Sequence, residues 1–160
     1  MFSNIIIQLV EQYGYLAFFL AFSLGPFGIP VPNEVTILTG GILISNTGVL
    51  DPWITYFYIS VGLLTAYTIA YFAGRILGGN ISIRLQNNRY FQNADKLFKQ
   101  RGDLAMCFGV FIPLIRYILP FIVGLSGVTF KKFALISYFS VLFWTVTFFT
   151  AGRYLGGIVF

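Results

Sequence analysis

Two apolar runs of the chain are each broken by an Ile-Pro step that is followed by a charged residue. Glu34 follows Ile29-Pro30 in the first run, and Arg116 follows Ile112-Pro113 in the second. Because proline removes a helical hydrogen bond, neither run can form one regular, uninterrupted helix. An ionisable group at membrane depth costs about 2.5–3.5 kcal/mol on insertion scales. The pattern therefore predicts a polar site inside a membrane, formed by two discontinuous helices.

The composition agrees with a membrane environment. Hydrophobic residues make up 58% of the chain and charged residues only 9%, whereas soluble domains carry about 25% charged residues. The length of 160 residues allows one domain, which we expect to cover residues 1–160.

The residue types also exclude several kinds of chemistry. The chain has no histidine, a single cysteine, Cys107, and five carboxylate residues. Histidine-ligated metals and haem, and Ser-His or Cys-His catalytic pairs, are therefore excluded. We expect no cofactor, no metal site, no enzymatic activity and no nucleic-acid partner.

The net charge of +5 is concentrated in one segment. Six of the ten basic residues fall within 27 consecutive positions: Arg75, Arg84, Arg89, Lys96, Lys99 and Arg101. The positive-inside rule places this segment in the cytoplasm. Its charge could also attract anionic lipid headgroups.

The hydrophobic pattern predicts an all-α membrane protein. A short interfacial helix over residues 1–12 leads into a membrane helix that starts at Tyr13–Leu24. Two membrane-spanning helices are predicted at Trp53–Leu77 and Phe133–Leu155. Between them lies a cytoplasmic connection, residues 80–103, which is expected to be helical in its second half.

The two halves of the chain resemble each other. Ala73-Gly74-Arg75-Ile76-Leu77-Gly78-Gly79 matches Ala151-Gly152-Arg153-Tyr154-Leu155-Gly156-Gly157, and Gly41 falls opposite Gly124. We therefore predict two repeats, residues 25–79 and 104–157, each a re-entrant helical hairpin followed by a transmembrane helix.

A hairpin returns to its own side, so each repeat crosses the membrane once and the two repeats are inverted. This places the N-terminus inside and Arg153 outside, in mild conflict with the positive-inside rule. The residues expected to break the hairpins are Pro30, Pro32, Pro113, Pro120, Gly40, Gly41 and Gly124. The glycines among them, together with Gly127, are expected to allow close helix approach rather than to bind a ligand.

Three stretches resemble the DedA family of membrane proteins, whose core is also called the VTT or SNARE-associated domain. They are Pro30–Glu34 with Gly40-Gly41, Tyr71–Gly78, and Phe108–Arg116 with Pro120 and Gly124–Gly127. The resemblance covers residues 13–157. It implies two inverted re-entrant hairpins that face each other, in the plasma membrane of a bacterium, and lipid translocation between leaflets.

The chain departs from the family pattern at two positions. Val110 replaces the first arginine of the motif Arg-Phe-x-Pro-x-x-Arg, and Tyr67 stands where many members carry an acidic residue. One cation and one anion are therefore missing. A singly charged phosphodiester then fits better than a more anionic phosphomonoester.

Arg116 is the candidate phosphate ligand, because guanidinium binds phosphate in a bidentate way and stays charged when buried. The alternative is a structural salt bridge with Glu34. That carboxylate could equally contact an amine headgroup or carry protons. Asn33 and Tyr117 are secondary candidates for substrate binding.

The function that these residues and the resemblance suggest is a flippase or scramblase for a phospholipid such as phosphatidylethanolamine. The alternative substrate is undecaprenyl phosphate, the carrier lipid of cell-envelope synthesis. Two other classes, an intramembrane lipid-modifying enzyme and a structural membrane factor, remain open, as does assembly into a homo-oligomer.

Overall fold

A computed structural model describes residues 2–24, 33–47, 50–85, 87 and 89–159. The described residues form helices and short connections and contain no strand. The elements in chain order are α1 (Phe2–Ser23), α2 (Asn33–Thr47), α3 (Pro52–Leu85), α4 (Arg89–Phe108), a 3-10 turn (Gly109–Phe111), α5 (Pro113–Leu125) and α6 (Phe130–Val159). Pro30 and Pro32, at the predicted tip of the first hairpin, lie outside the described residues.

Two helices are long and apolar enough to cross a membrane. They are the segments Pro52–Gly79 of α3 and Phe130–Ile158 of α6. The predicted spans, Trp53–Leu77 and Phe133–Leu155, lie within these segments and are confirmed as long apolar helices. A shorter apolar helical segment covers Ile115–Leu125.

The N-terminal region differs from its prediction. The two predicted pieces, residues 1–12 and Tyr13–Leu24, form the single helix α1. The segment contains one glycine, Gly14, and no proline. One interior glycine costs only about 1 kcal/mol of helix propensity, which is too little to break a helix of this length.

The connection between the two halves also differs in detail. Helix α3 continues to Leu85, beyond the predicted span. Helix α4 then begins at Arg89, so most of the predicted cytoplasmic connection is helical. Its backbone leaves helical geometry at Arg101, where φ is −138° and ψ is 29°.

The chain divides into two compact units. Unit 1 comprises Met1–Ala66 and Leu142–Phe160, and unit 2 comprises Tyr67–Val141. The boundaries fall within α3 and α6, so each unit contains part of both long helices. These units differ from the predicted repeats, each of which is a continuous stretch of sequence.

In unit 1, α1 is attached to the beginning of α3 by polar contacts. The backbone N–H of Asp51 donates a hydrogen bond of 2.8 Å to the Tyr15 hydroxyl, and Tyr15 stacks on Tyr58. Asp51 Oδ1 accepts hydrogen bonds from the backbone N–H groups of Trp53 at 2.8 Å and Ile54 at 3.2 Å. Asp51 is therefore the N-cap of α3, because it satisfies donors that have no partner within the helix.

In unit 2, Tyr71 of α3 is the centre of an aromatic cluster. Its ring is fully buried and stacks on the Phe133 ring of α6, with 4.6 Å between the ring centroids. Its hydroxyl donates a hydrogen bond of 2.5 Å to the Val128 carbonyl, which also accepts one from Arg75 at 3.2 Å. This network holds the chain just after α5 against α3.

Candidate functional site

Arg116 lies in the first part of α5, which follows α4 and the 3-10 turn along the chain. Pro113 opens α5, where its missing N–H costs nothing. Arg116 is three residues further on, and its backbone N–H donates a hydrogen bond of 2.9 Å to the Ile112 carbonyl. Its side chain is only 1% exposed. Helix α5 therefore holds a guanidinium group inside unit 2.

Pro120 lies inside α5, and the helix continues past it to Leu125. It therefore does not end the helix. Because proline has no N–H, Pro120 cannot donate to the carbonyl of Arg116, four residues earlier. The helix backbone is weakened next to the buried cation, a local arrangement suited to a polar site.

Two tyrosines accompany the guanidinium. The Tyr117 ring lies 5.2 Å from the Cζ atom of Arg116, in a cation–π arrangement. Tyr67 of α3 is 3% exposed, and its side chain lies within electrostatic range of both Arg116 and Tyr117. Its hydroxyl is buried and has no hydrogen-bond partner within the described part of the chain. A buried hydroxyl without a partner costs the fold about 1–3 kcal/mol.

The two positions that depart from the family motif are both buried in unit 2. Val110 is fully buried in the 3-10 turn, and Tyr67 is the tyrosine just described. Arg116 is the one charged side chain that is buried among the residues whose burial the structure describes. The site therefore has a single deep cation.

Glu34 and Asn33 lie in the first turn of α2, where a negative charge interacts favourably with the helix dipole. The Glu34 side chain is half-buried, and the Asn33 side chain lies outside the described part. Glu34 belongs to unit 1 and Arg116 to unit 2, so the predicted salt bridge between them stays a prediction.

Helices cross closely at glycines in both units. In unit 1, a Cβ atom on Gly41 of α2 would lie 2.9 Å from the Phe149 carbonyl oxygen and the Arg153 nitrogen of α6. A Cβ atom on Gly152 would lie 2.8 Å from the Leu38 carbonyl oxygen. The two backbones therefore pack directly against each other, as expected for small residues at a membrane-helix crossing.

Unit 2 contains the corresponding crossing of α5 and α3. A Cβ atom on Gly124 would contact the Tyr71 carbonyl oxygen and the Arg75 nitrogen, and one on Gly74 would contact the Phe121 carbonyl oxygen. By the sequence match, Gly124 corresponds to Gly41 and Gly74 to Gly152. The same five backbone positions therefore meet in each unit.

Two other glycines behave differently from one another. Gly40 packs against the Phe18 ring, 3.1 Å from a Cβ placed there, so the expected close approach is observed. For Gly127 that expectation is wrong, because nothing described lies within 4 Å of its Cβ position. Its φ of +74° shows that it is needed for the turn after α5.

Sequence reasoning did not identify Tyr67 as a member of the site, nor the contacts of Tyr71 and Arg75 with the Val128 carbonyl. The sequence marked Tyr67 only as a departure from the family pattern, because many members carry an acidic residue at this position. It did not indicate that Tyr67 would lie near Arg116. No three histidine, cysteine, aspartate or glutamate side chains of the described chain come together as a metal site would require.

Comparison with known proteins places the chain in context. Residues 31–154 match the VTT domain. The chain is 30% identical to the uncharacterized membrane protein YbfM of Bacillus subtilis, over 93% of this chain and 94% of that protein. It is 29% identical to the inner membrane protein YqjA of Escherichia coli, over 79% of this chain and 59% of that protein.

A third relative is the alkaline phosphatase-like protein of Lactococcus lactis subsp. cremoris. It is 27% identical, over 96% of this chain and 76% of the relative. No solved structure matches the chain.

The chain has two long apolar helices and a buried arginine, and relatives of the chain are named as membrane proteins. It is therefore a helical membrane protein. The chain belongs to the VTT-domain family, also known as DedA.

Proposed function

We propose that the protein moves a phosphate-containing lipid headgroup between the two leaflets of the bacterial plasma membrane, as a flippase or scramblase. The observation that carries this proposal is the buried guanidinium of Arg116, which lies beside the Tyr117 ring and within electrostatic range of the buried Tyr67 side chain. Guanidinium binds phosphate oxygens in a bidentate way, and tyrosine hydroxyls can complete the coordination.

The charge of the site favours a phospholipid such as phosphatidylethanolamine. Arg116 is the single buried cation among the residues whose burial the structure describes, and Val110 occupies the position of a second arginine. One cation balances one phosphodiester charge. Undecaprenyl phosphate carries a phosphomonoester of higher charge and is the alternative substrate.

The proposed architecture is a pair of inverted repeats, each with a re-entrant hairpin, in a chain that crosses the plasma membrane several times. The corresponding glycine crossings support the repeats, because Gly41 with Gly152 and Gly124 with Gly74 use the same backbone contacts. Helices with proline at breaks and glycine at crossings are typical of substrate sites in transporters. The relative named as an inner membrane protein supports the location.

The experiment is lipid translocation by the purified protein in proteoliposomes, with labelled phosphatidylethanolamine and, separately, undecaprenyl phosphate. Arg116→Ala should slow translocation at least about tenfold, because it removes a charge-assisted contact. Arg116→Lys should restore part of the rate, since lysine keeps the charge but not the bidentate geometry. Arg89→Ala, which removes an exposed arginine of α4, should leave the rate unchanged.

Size-exclusion chromatography and a melting temperature for each variant separate loss of function from loss of folding. If a folded Arg116→Ala or Arg116→Lys protein translocates lipid at the wild-type rate, the proposal is wrong. Faster translocation of undecaprenyl phosphate than of phosphatidylethanolamine would assign the alternative substrate.

A lipid phosphatase is a second candidate function, suggested by the name of the Lactococcus lactis relative. The two functions differ in their product. A translocase returns lipid chemically unchanged, whereas a phosphatase releases inorganic phosphate. Phosphate release from a labelled phosphomonoester lipid by the purified protein, lost in Arg116→Ala, would favour the enzyme.

A further inference from the structure

A cavity of about 440 Å³ opens in unit 1, between the beginning of α3 and the end of α6. This volume lies within the range of about 300–1,000 Å³ that is typical of small-molecule sites. Its lining combines apolar and aromatic residues with one cation: Trp53, Tyr56, Val146, Phe149, Arg153 and Tyr154. The Trp53 side chain is 79% exposed and that of Tyr154 is 72% exposed, as in the aromatic belt of a membrane interface.

Arg153 differs from its counterpart in the other half of the sequence. The matching residue, Arg75, donates hydrogen bonds of 3.2 Å to the Tyr71 hydroxyl and to the Val128 carbonyl. The Arg153 side chain, in contrast, makes no hydrogen bond or ion pair with any residue that the structure describes. One arginine is used to hold the fold, and the other lines a cavity.

The sequence explains this difference. By the repeat match Phe149 corresponds to Tyr71, so the hydroxyl that accepts a hydrogen bond from Arg75 has no counterpart beside Arg153. Unit 1 therefore lacks one of the two acceptors that hold the Arg75 guanidinium in unit 2.

The backbone of Arg153 is nevertheless held in place. Its nitrogen lies at the Gly41 crossing, 2.9 Å from the position of a Cβ atom on Gly41. A fixed backbone limits the volume that the guanidinium can reach, so that only the rotamers of the side chain have to be ordered when it binds a ligand. The proposed topology places Arg153 outside the cytoplasm, and this step alone rests on that topology. The positive-inside rule explains arginines on the cytoplasmic side, so it does not explain an arginine at this position.

We infer that Arg153 and this cavity form a binding site for a membrane phospholipid, separate from Arg116. The guanidinium holds the phosphodiester of the headgroup, because the charges are complementary and none of the cavity's lining residues is acidic. One acyl chain lies along Val146 and Phe149. Trp53 and Tyr154 flank the headgroup at the interface.

The test is native mass spectrometry of the purified full-length protein titrated with phosphatidylglycerol, with diacylglycerol as a lipid that lacks phosphate. The wild-type protein should bind phosphatidylglycerol in preference to diacylglycerol. Arg153→Gln should reduce phosphatidylglycerol affinity about tenfold without lowering the melting temperature, since the side chain has no described partner.

Arg75→Gln is the matched control, because it removes the same charge from the corresponding position. It should lower the melting temperature, through loss of its hydrogen bonds, and leave phosphatidylglycerol affinity unchanged. Val146→Trp fills the cavity at an exposed position without changing the charge, and it should reduce affinity as Arg153→Gln does.

The inference is overturned if Arg153→Gln keeps the wild-type affinity, or if Arg75→Gln loses affinity to the same extent. Inorganic phosphate that displaces the lipid at equal concentration would show a simple anion site and would also overturn it. Because Arg116 is itself a proposed phosphate ligand, the Arg153→Gln comparison is repeated in an Arg116→Ala background, where the same loss of phosphatidylglycerol affinity is expected; failure of the proposed translocation and failure of this site are then separate results.

Discussion

Tyr67 and Arg116 illustrate how a membrane protein can hold polar groups in its interior. The guanidinium is buried beside the Tyr117 ring, and the Tyr67 hydroxyl is buried without a hydrogen bond to any described residue. In an apolar interior such a hydroxyl is a cost to the fold. A bound headgroup would remove that cost by supplying a phosphate oxygen as acceptor.

This leads to a prediction in which stability and function change in opposite directions. Tyr67→Phe deletes only the hydroxyl and should raise the free energy of unfolding by about 1 kcal/mol, because no described partner is lost. It should also slow lipid translocation several-fold, if measured in the same proteoliposomes. Tyr117→Phe is the matched comparison, because it also deletes one hydroxyl but keeps the aromatic ring that contacts the Arg116 guanidinium.

Lower stability of Tyr67→Phe than of the wild type would show that the hydroxyl has a structural partner. An unchanged translocation rate would remove it from the site.

At the residue scale, the sequence singled out Arg116, because a lone charge in an apolar run is conspicuous, and the structure shows that its side chain is buried. Its role in substrate binding stays a prediction. The sequence did not single out Tyr67, because tyrosine is common in this chain. Only the packing of α3 in unit 2 distinguishes this tyrosine from the others. The predicted roles of Glu34 and Asn33 stay predictions.

At the scale of the helices, the glycine crossings are the most demanding contacts. Gly124→Ala should lower the free energy of unfolding by about 1–3 kcal/mol, because the new methyl group meets the Tyr71 backbone rather than a flexible side chain. Gly41→Ala should have a similar effect in unit 1. Thermal unfolding in detergent, followed by circular dichroism, measures both.

Gly79→Ala is the control for these variants, because nothing described lies within 4 Å of its Cβ position. Alanine is the better helix former, so this variant should be neutral or up to about 1 kcal/mol more stable. Equal melting temperatures for Gly124→Ala and Gly79→Ala would contradict the close crossing.

The beginning of α3 provides another prediction for a single helix. Asp51→Ala removes the carboxylate that accepts hydrogen bonds from Trp53 and Ile54, and it should cost about 1 kcal/mol of stability. Asp51→Asn keeps a side-chain oxygen and should retain most of the cap. A melting temperature of Asp51→Asn as low as that of Asp51→Ala would mean that the charge, and not the cap, is what matters.

The helices themselves could largely be predicted from hydrophobic patterning, as the two long apolar helices show. The ends of the helices could not be predicted in this way, because helix propensity changes only gradually along the sequence there. Helix α2 runs on to Thr47, past the two glycines that were expected to break the first hairpin, and α3 continues beyond its predicted span to Leu85. Gly40 and Gly41 interrupt the pattern of α2 but not the helix, because packing compensates for their low propensity.

At the scale of the whole molecule, the proposed topology makes a prediction about labelling. In a Cys107→Ser background, Asn87→Cys should react with a membrane-impermeant maleimide only after spheroplasts are permeabilised. Gly157→Cys should react in intact spheroplasts, because inverted repeats place the C-terminus outside. Both positions are exposed, so access depends on the side of the membrane.

Labelling of Gly157→Cys only after permeabilisation would contradict the inverted arrangement. Mass spectrometry of the labelled protein gives the fraction modified at each position.

The division into two units could not be predicted from the sequence, although the sequence did indicate a repeat. A repeat is a continuous stretch, whereas unit 1 combines the first 66 residues with the last 19. The reason is that α2 packs at Gly41 against α6, and α5 packs at Gly124 against α3. Each of these short helices thus packs on the long helix of the other half of the sequence, and a periodic pattern does not reveal which helix is the partner.

The glycine crossings also determine where the gene can tolerate change. Every single-base substitution that replaces glycine with another amino acid adds a Cβ atom, and at codons 41, 74, 124 and 152 that atom would collide with backbone. Randomly mutagenised copies of the gene should therefore yield inactive alleles at these four codons far more often than at codon 79. Such alleles would encode poorly accumulating protein, and their position would not identify the residues that contact lipid.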